Sequence, residues 1–210
     1  IPQGLSYFGY YPMWQTFLRE LGHNPILSGL TTKDILDRGV VACVDDACLP
    51  VKVFHGHVDY LKDKVDIIFI PRLVMMAPKE FICPKFIGLP EMIKNSVKDL
   101  PRIIILNYEL KRGIHDEKRA FYELGKQLGS SVSQINKAYK EARARQDLYE
   151  EILIDGENPY DLLYKKKAGG LGNLSKGTIG LLGHPYLIYD RYLSMDIIKK
   201  IRNRNYSLAV

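Results

Sequence analysis

Apolar positions recur every three or four residues from Pro12 to Leu21, at Met13, Trp14, Phe17, Leu18 and Leu21, which predicts a helix ended by Gly22. A short strand is predicted at Pro25–Ser28 and a short helix at Thr32–Arg38, capped by Thr31 or Thr32. A longer helix is predicted at Ala47–Leu61, with Pro50 in its first turn. Two unbroken apolar runs, Asp66–Ile70 ending at Pro71 and Arg102–Leu106, read as strands buried on both faces. A loop at Arg72–Lys79 and a helix at Gly88–Val97 lie between them. Strand and helix alternate with short connections, which favours a parallel α/β class of Rossmann or flavodoxin-like, three-layer type.

The pattern changes near His115. From there to Glu151 no strand signal appears. Phe121, Leu124 and Leu128 form one helical stripe, and Ile135, Ala138, Tyr139 and Ala142 another, with a turn at Gly129–Ser133. A third short helix is expected at Pro159–Lys166 and a connector at Gly169–Asn173. Thr178–Gly183 then reads as a strand, His184-Pro185-Tyr186 as a loop and Tyr189–Arg202 as a helix. The expected organisation is a first α/β domain at 1–112, a helical insertion and linker at 113–175, and the start of a second α/β domain at 176–210. Both ends read as interrupted strands, so the polypeptide is expected to be part of a longer one.

Composition narrows the function classes. Hydrophobic content of 46% and charged content of 26% are those of a globular chain with a core. The net charge of +6 is modest and spread out, with one basic run at Lys165–Lys167 that reads as a solvated loop. A nucleic-acid surface would need denser basic clustering with aromatics between. No apolar run is long enough for a membrane span. The N-terminal residues lack the basic and apolar regions of a signal peptide. Three cysteines in such a chain point to a reducing, cytoplasmic setting.

Candidate chemistry gathers at helix starts. Cys48 precedes Pro50 and Lys52, and Cys83 precedes Pro84 and Lys85, each at the predicted N-terminus of a helix behind a strand, which suggests a soft-metal site facing the top of a parallel sheet. A thiolate is favoured there by the helix dipole, on the side where open α/β sheets place ligands. On residue chemistry alone, both read equally well as small buried hydrophobes. Cys43 reads as a core cysteine. Lys52 and His55 fall on the same helical face as Cys48, and His57 points elsewhere. The histidines read either as functional or as ordinary helix residues with satisfied hydrogen bonds. Lys52 suits a carboxylate or phosphate partner, or solvent. Gly56 inside a helix marks close packing of another element. His184 sits in a loop directly after a strand, either at a ligand edge or in a plain turn. Gly169–Gly172 lacks the ending of a phosphate loop.

Several strings together carry a resemblance. These are Ile1-Pro2-Gln3-Gly4-Leu5, Tyr11-Pro12-Met13-Trp14, Ala47-Cys48-Leu49-Pro50-Val51-Lys52, His55-Gly56-His57, Phe69-Ile70-Pro71, Cys83-Pro84 and Gly183-His184-Pro185-Tyr186. The chain resembles the 2-hydroxyacyl-CoA dehydratase D-component family, and within it the acyl-CoA dehydratase activase-related branch, the CoA-enzyme-activase uncharacterised domain. The resemblance implies two α/β domains around a helical region. It also implies an iron–sulfur cluster, [4Fe–4S] or double-cubane, held by Cys48 and Cys83 with a third ligand beyond residue 210. Lys52, His55 and His184 are then candidates for contact with substrate or support of the cluster ligands. No catalytic residue is assigned.

The implied function is radical dehydration or reduction of a CoA thioester or small molecule. Electrons would come from a separate ATP-hydrolysing activase, and the subunit would act alone or in a homo- or heterodimer. The other expectation is a non-catalytic α/β scaffold that docks to an activase ATPase or partner subunit. Neither nucleic acid nor membrane is an expected partner.

Overall fold

The computed structural model describes residues 1–154, 162 and 176–209. The expected helix at Pro159–Lys166 falls outside these except for Leu162. The basic run 165–167 and the connector 169–173 lie wholly outside them.

The centre of the first part is a three-stranded sheet of order β2-β1-β3. Strands β1 (Ile67–Ala77) and β3 (Arg102–Glu109) are parallel, with Ile68 opposite Ile103 and Ile70 opposite Ile105. The short β2 (Glu80–Phe81) turns back antiparallel on the end of β1. The class is therefore mixed α/β, as the alternating pattern predicts. Strand β1 runs straight through Pro71 and takes in most of the stretch expected to be a loop. The proline is tolerated because β2 pairs with β1 only at Met75 and Ala77. The side of β1 away from β3 carries no strand at Pro71, so no ladder bond is lost there.

Helix α1 (Tyr7–Glu20) lies on this sheet. The Trp14 ring meets Phe69 at 5.2 Å between centroids, and Phe17 meets Phe121 at 4.8 Å. Phe121 is on α6 (Ile114–Gln127), which packs on β3, while α7 (Val132–Ile154) packs on α1 and α6. The turn between α6 and α7 has Gly129 at φ +78°, a conformation that favours glycine. Ser131 opens α7 with a capping box. The Gln134 N–H donates to Ser131 Oγ at 3.3 Å, and the Ser131 N–H donates to Gln134 Oε1 at 2.9 Å. The carboxylate of Glu117 joins these layers, accepting from the Tyr108 and Tyr139 hydroxyls at 2.8 Å each and pairing with Arg143.

Helices α2 (Lys33–Ala42) and α3 (Leu49–Leu61) pack together. Thr32 caps α2, its Oγ1 accepting from the Ile35 N–H at 3.3 Å. The two helices touch through backbone. A β-carbon on Gly39 would fall 1.9 Å from the Lys52 carbonyl oxygen, and one on Gly56 would fall 1.8 Å from that of Ile35. The close approach expected at Gly56 is thus the crossing with α2. The residues expected to form a strand at Pro25–Ser28 form none. They run as extended chain against the first residues, with the Ser28 N–H donating to the Ile1 carbonyl at 3.2 Å.

Past Cys83 the chain makes a one-turn helix, α4 (Pro84–Ile87), then α5 (Leu89–Ser96). Near the other end β4 (Thr178–Gly180) and β5 (Ser207–Ala209) form a parallel pair of their own, with Thr178 opposite Ser207. Between them are the one-turn α8 (Pro185–Ile188) and α9 (Ile197–Arg202). The helix expected at Tyr189–Arg202 is therefore confined to its last six residues. Asp190 takes the Tyr192 and Leu193 N–H groups on its side chain, which competes with helical bonding, and Met195 and Asp196 adopt positive φ.

Candidate functional site

Three helices start with the same chemistry. Cys48 is the N-cap residue of α3, Cys83 of α4 and His184 of α8, and each helix has proline in its first turn. Proline suits that turn because its missing N–H would have no partner there. None of the three N-cap side chains accepts a capping hydrogen bond. Both thiols are exposed.

The starts are brought together by two contacts. The Lys85 Nζ, in the first turn of α4, donates to the Asp46 carbonyl just ahead of α3 at 3.0 Å. Tyr186, in the first turn of α8, stacks on His184 at 5.1 Å and meets Phe86 of α4 at 5.9 Å. Burial pushes the Tyr186 phenol above its ordinary pKa, and the nearby thiols of Cys48 and Cys83 add to that. One phenol thus stands near both cysteines.

Beneath this meeting point is a mainly apolar cavity of about 510 Å³, with Tyr10, Leu73, Phe81, Cys83, Phe86 and Tyr186 in its walls and His184 beside them. Volume and lining are those of a pocket that receives a small apolar group. Phe81, on β2, is 70% exposed, an unusual state for a ring of that size. Val44 and Leu49, which flank Cys48 in the chain, are exposed as well.

The remaining expected site residues lie differently. Lys52 is half-buried on α3, near Cys43, whose thiol pKa is raised by burial and eased by Lys52 and Lys85. Cys43 ends α2 and packs only partly against the core. His55 is 0% exposed, and its Nδ1 lies 2.8 Å from the Val51 carbonyl one helical turn back. Burial lowers its pKa. His55 therefore belongs to the core and does not reach the cavity mouth, although it shares a helical face with Cys48. The reason is that α3 sinks into the protein away from its N-terminus.

Sequence reasoning missed a second group. His57 Nε2 lies 3.0 Å from the Thr31 hydroxyl, and that hydroxyl donates to Asp190 Oδ2 at 2.5 Å. His57 and Asp190 are both buried. The sequence signals were the His-Gly-His string and Thr31 as a candidate helix cap; Asp190 carried none.

Among the described residues, no group of three or more His, Cys, Asp or Glu side chains is placed to hold a metal ion. A [4Fe–4S] cluster takes four protein ligands in its usual form. The resemblance implies a further ligand beyond residue 210, so the two exposed thiols of Cys48 and Cys83 are only the part of that implied donor set that these residues carry. No helix among the described residues is long and apolar enough to cross a membrane.

The family model described as CoA enzyme activase uncharacterised domain matches residues 1–210. No curated protein and no solved structure matches the chain. This match corrects the main functional expectation. It puts the chain on the activase side of the system, so the reading of an iron–sulfur dehydratase subunit that receives electrons from an activase is withdrawn. The dehydratase half of the resemblance gains no support from the match; the activase half does. With its whole length covered, the chain belongs to the CoA enzyme activase uncharacterised domain family.

Proposed function

We propose that this domain is a non-catalytic docking module of a CoA enzyme activase, and that it seats the ATP-hydrolysing unit of the activase against the mouth formed by α3, α4 and α8. The observation that carries this is the apolar cavity with the exposed Phe81 at its wall. A concave apolar pocket beside exposed aromatic and aliphatic side chains is the usual form of a binding hot spot. The net charge of +6 favours an acidic partner surface around that pocket. Family membership supplies the kind of partner. In this reading Cys48, Cys83 and His184 form the polar rim, and Phe81, Phe86 and Tyr186 form the apolar centre.

The test is chemical cross-linking of the full chain with the purified ATPase unit, followed by peptide mapping. Cross-links from Lys85 and Lys52 to the ATPase unit are expected. Cross-links confined to α6 and α7, or none above a non-binding control protein, contradict the reading. Preferential capture of the CoA enzyme instead of the ATPase unit would also contradict it.

A further inference from the structure

We propose that the Asp190–Thr31–His57 hydrogen-bonded chain is a polar latch that holds the His184–Tyr186 wall of the cavity in place, so that this wall swings away as a flap when the latch breaks.

The base of the latch is rigid. His57 lies in the middle of α3. Thr31 immediately precedes the Thr32 cap of α2. These two helices are locked together through backbone at Gly39 and Gly56, so Thr31 and His57 cannot easily move apart. The Thr31 hydroxyl donates to Asp190 and accepts from His57 Nε2–H, which sets the ring's tautomer.

The wall is the weaker partner. Helix α8 is a single turn, too short to be stable alone, and its N-cap side chain makes no capping bond. Asp190 follows the Tyr189 C-cap of this helix. One carboxylate oxygen of Asp190 accepts from the Tyr192 and Leu193 N–H groups at 2.9 and 3.1 Å, which shapes the turn after α8. The other oxygen accepts from Thr31. Asp190 is 3% exposed, so an oxygen left without its donor would be a buried, unsatisfied group. Burial also raises the pKa of this carboxyl, which the Thr31 donor partly offsets. The geometry thus ties the one-turn helix bearing His184 and Tyr186 to the rigid α2–α3 pair. The consequence for partner binding rests on the docking role proposed above; the latch itself does not.

The experiment is backbone hydrogen exchange, read by mass spectrometry, on the full chain with Thr31→Val, Thr31→Ser and Asp190→Asn. Thr31→Val should speed exchange about tenfold or more in 184–193, while segments from β3 and α6 keep their rates. Thr31→Ser, which keeps the hydroxyl, should restore the parent rate. Asp190→Asn should give an intermediate effect, since it keeps an acceptor for the turn. Unchanged exchange in 184–193, equal acceleration across the whole chain, or failure of Thr31→Ser to restore the rate would each overturn the latch. Failure of the parent chain to bind the ATPase unit, with exchange in 184–193 changing as expected, would overturn the docking role and leave the latch standing.

Discussion

The ammonium of Lys85 donates to the backbone carbonyl of Asp46 at 3.0 Å, across 39 residues of chain. It ties the start of the one-turn α4 to the turn that leads into α3, and so keeps Cys83 and Cys48 on one side of the protein. The bond is exposed, so its share of overall stability is small, about 1 kcal/mol or less. Its effect is on placement. Lys85→Met should leave the urea midpoint nearly unchanged, and should alter the relative rates at which a thiol reagent labels Cys48 and Cys83. Equal labelling in parent and variant would show that the bond does not set the spacing.

The α2–α3 crossing gives a sharper stability prediction. Gly56→Ala would drive a β-carbon to 1.8 Å from a backbone carbonyl, which cannot rotate away. Helices must separate, with a cost of about 3 kcal/mol or more. Gly9 in α1 has nothing within 4 Å of its would-be β-carbon, so Gly9→Ala should be neutral or stabilise by up to about 1 kcal/mol. Urea denaturation of the two variants side by side is the check. Equal and small effects would contradict the close crossing.

Stability should fall on acidification. Burial lowers the His57 pKa from 6.5 to about 3, and lowers that of His55 in the same direction. Below pH 6.5 the unfolded imidazole takes a proton that the folded one refuses, so the unfolded state gains. The slope is about 1.4 kcal/mol per pH unit for each such histidine, and for His57 it runs down to pH of about 3. Asp190 acts in the opposite sense, because its raised pKa means that acidification relieves a buried charge. Unfolding at pH 7 and pH 5 should show a clear loss, smaller in His57→Gln. A flat profile would mean that the imidazole is solvated in the folded state.

The open edge of β3 is guarded by one side chain. Gln127 Oε1 accepts from the Ile105 N–H at 3.2 Å, and Gln127 Nε2 donates to the Ile105 carbonyl at 3.0 Å, as a neighbouring strand would. Gln127→Ala should leave this edge free and promote self-association at raised concentration. Light scattering that stays monomeric across a wide concentration range would contradict the role.

Much of this was legible in the chain, and the exceptions have local causes. The Ile-rich runs announced both β1 and β3, but only β1 is buried on both faces, at Ile68–Pro71; β3 alternates buried and more open positions, so its second face is not covered as expected. Cys48 and Cys83 were placeable at helix starts because proline marks a first turn. Pro71 misled, since its effect on a strand depends on whether a neighbour needs its N–H, and that neighbour starts later. His55 misled because helical periodicity gives a face but not what covers it. The pairing of Thr31 with Asp190 was invisible, because a single buried carboxylate and hydroxyl 159 residues apart leave no periodic trace, and Thr31 entered only as a candidate helix cap. The withdrawn dehydratase function came from resemblance, and no feature of the residues themselves separated the two sides of that system.

The most direct measurement is calorimetric titration of the ATPase unit into the full chain, comparing the parent with Phe81→Asp and with Val132→Asp, a control at an exposed site on α7. The docking account predicts saturable binding to the parent, a loss of about tenfold or more in affinity for Phe81→Asp, and parent affinity for Val132→Asp. No binding to the parent, or equal affinity for parent and Phe81→Asp, would contradict it.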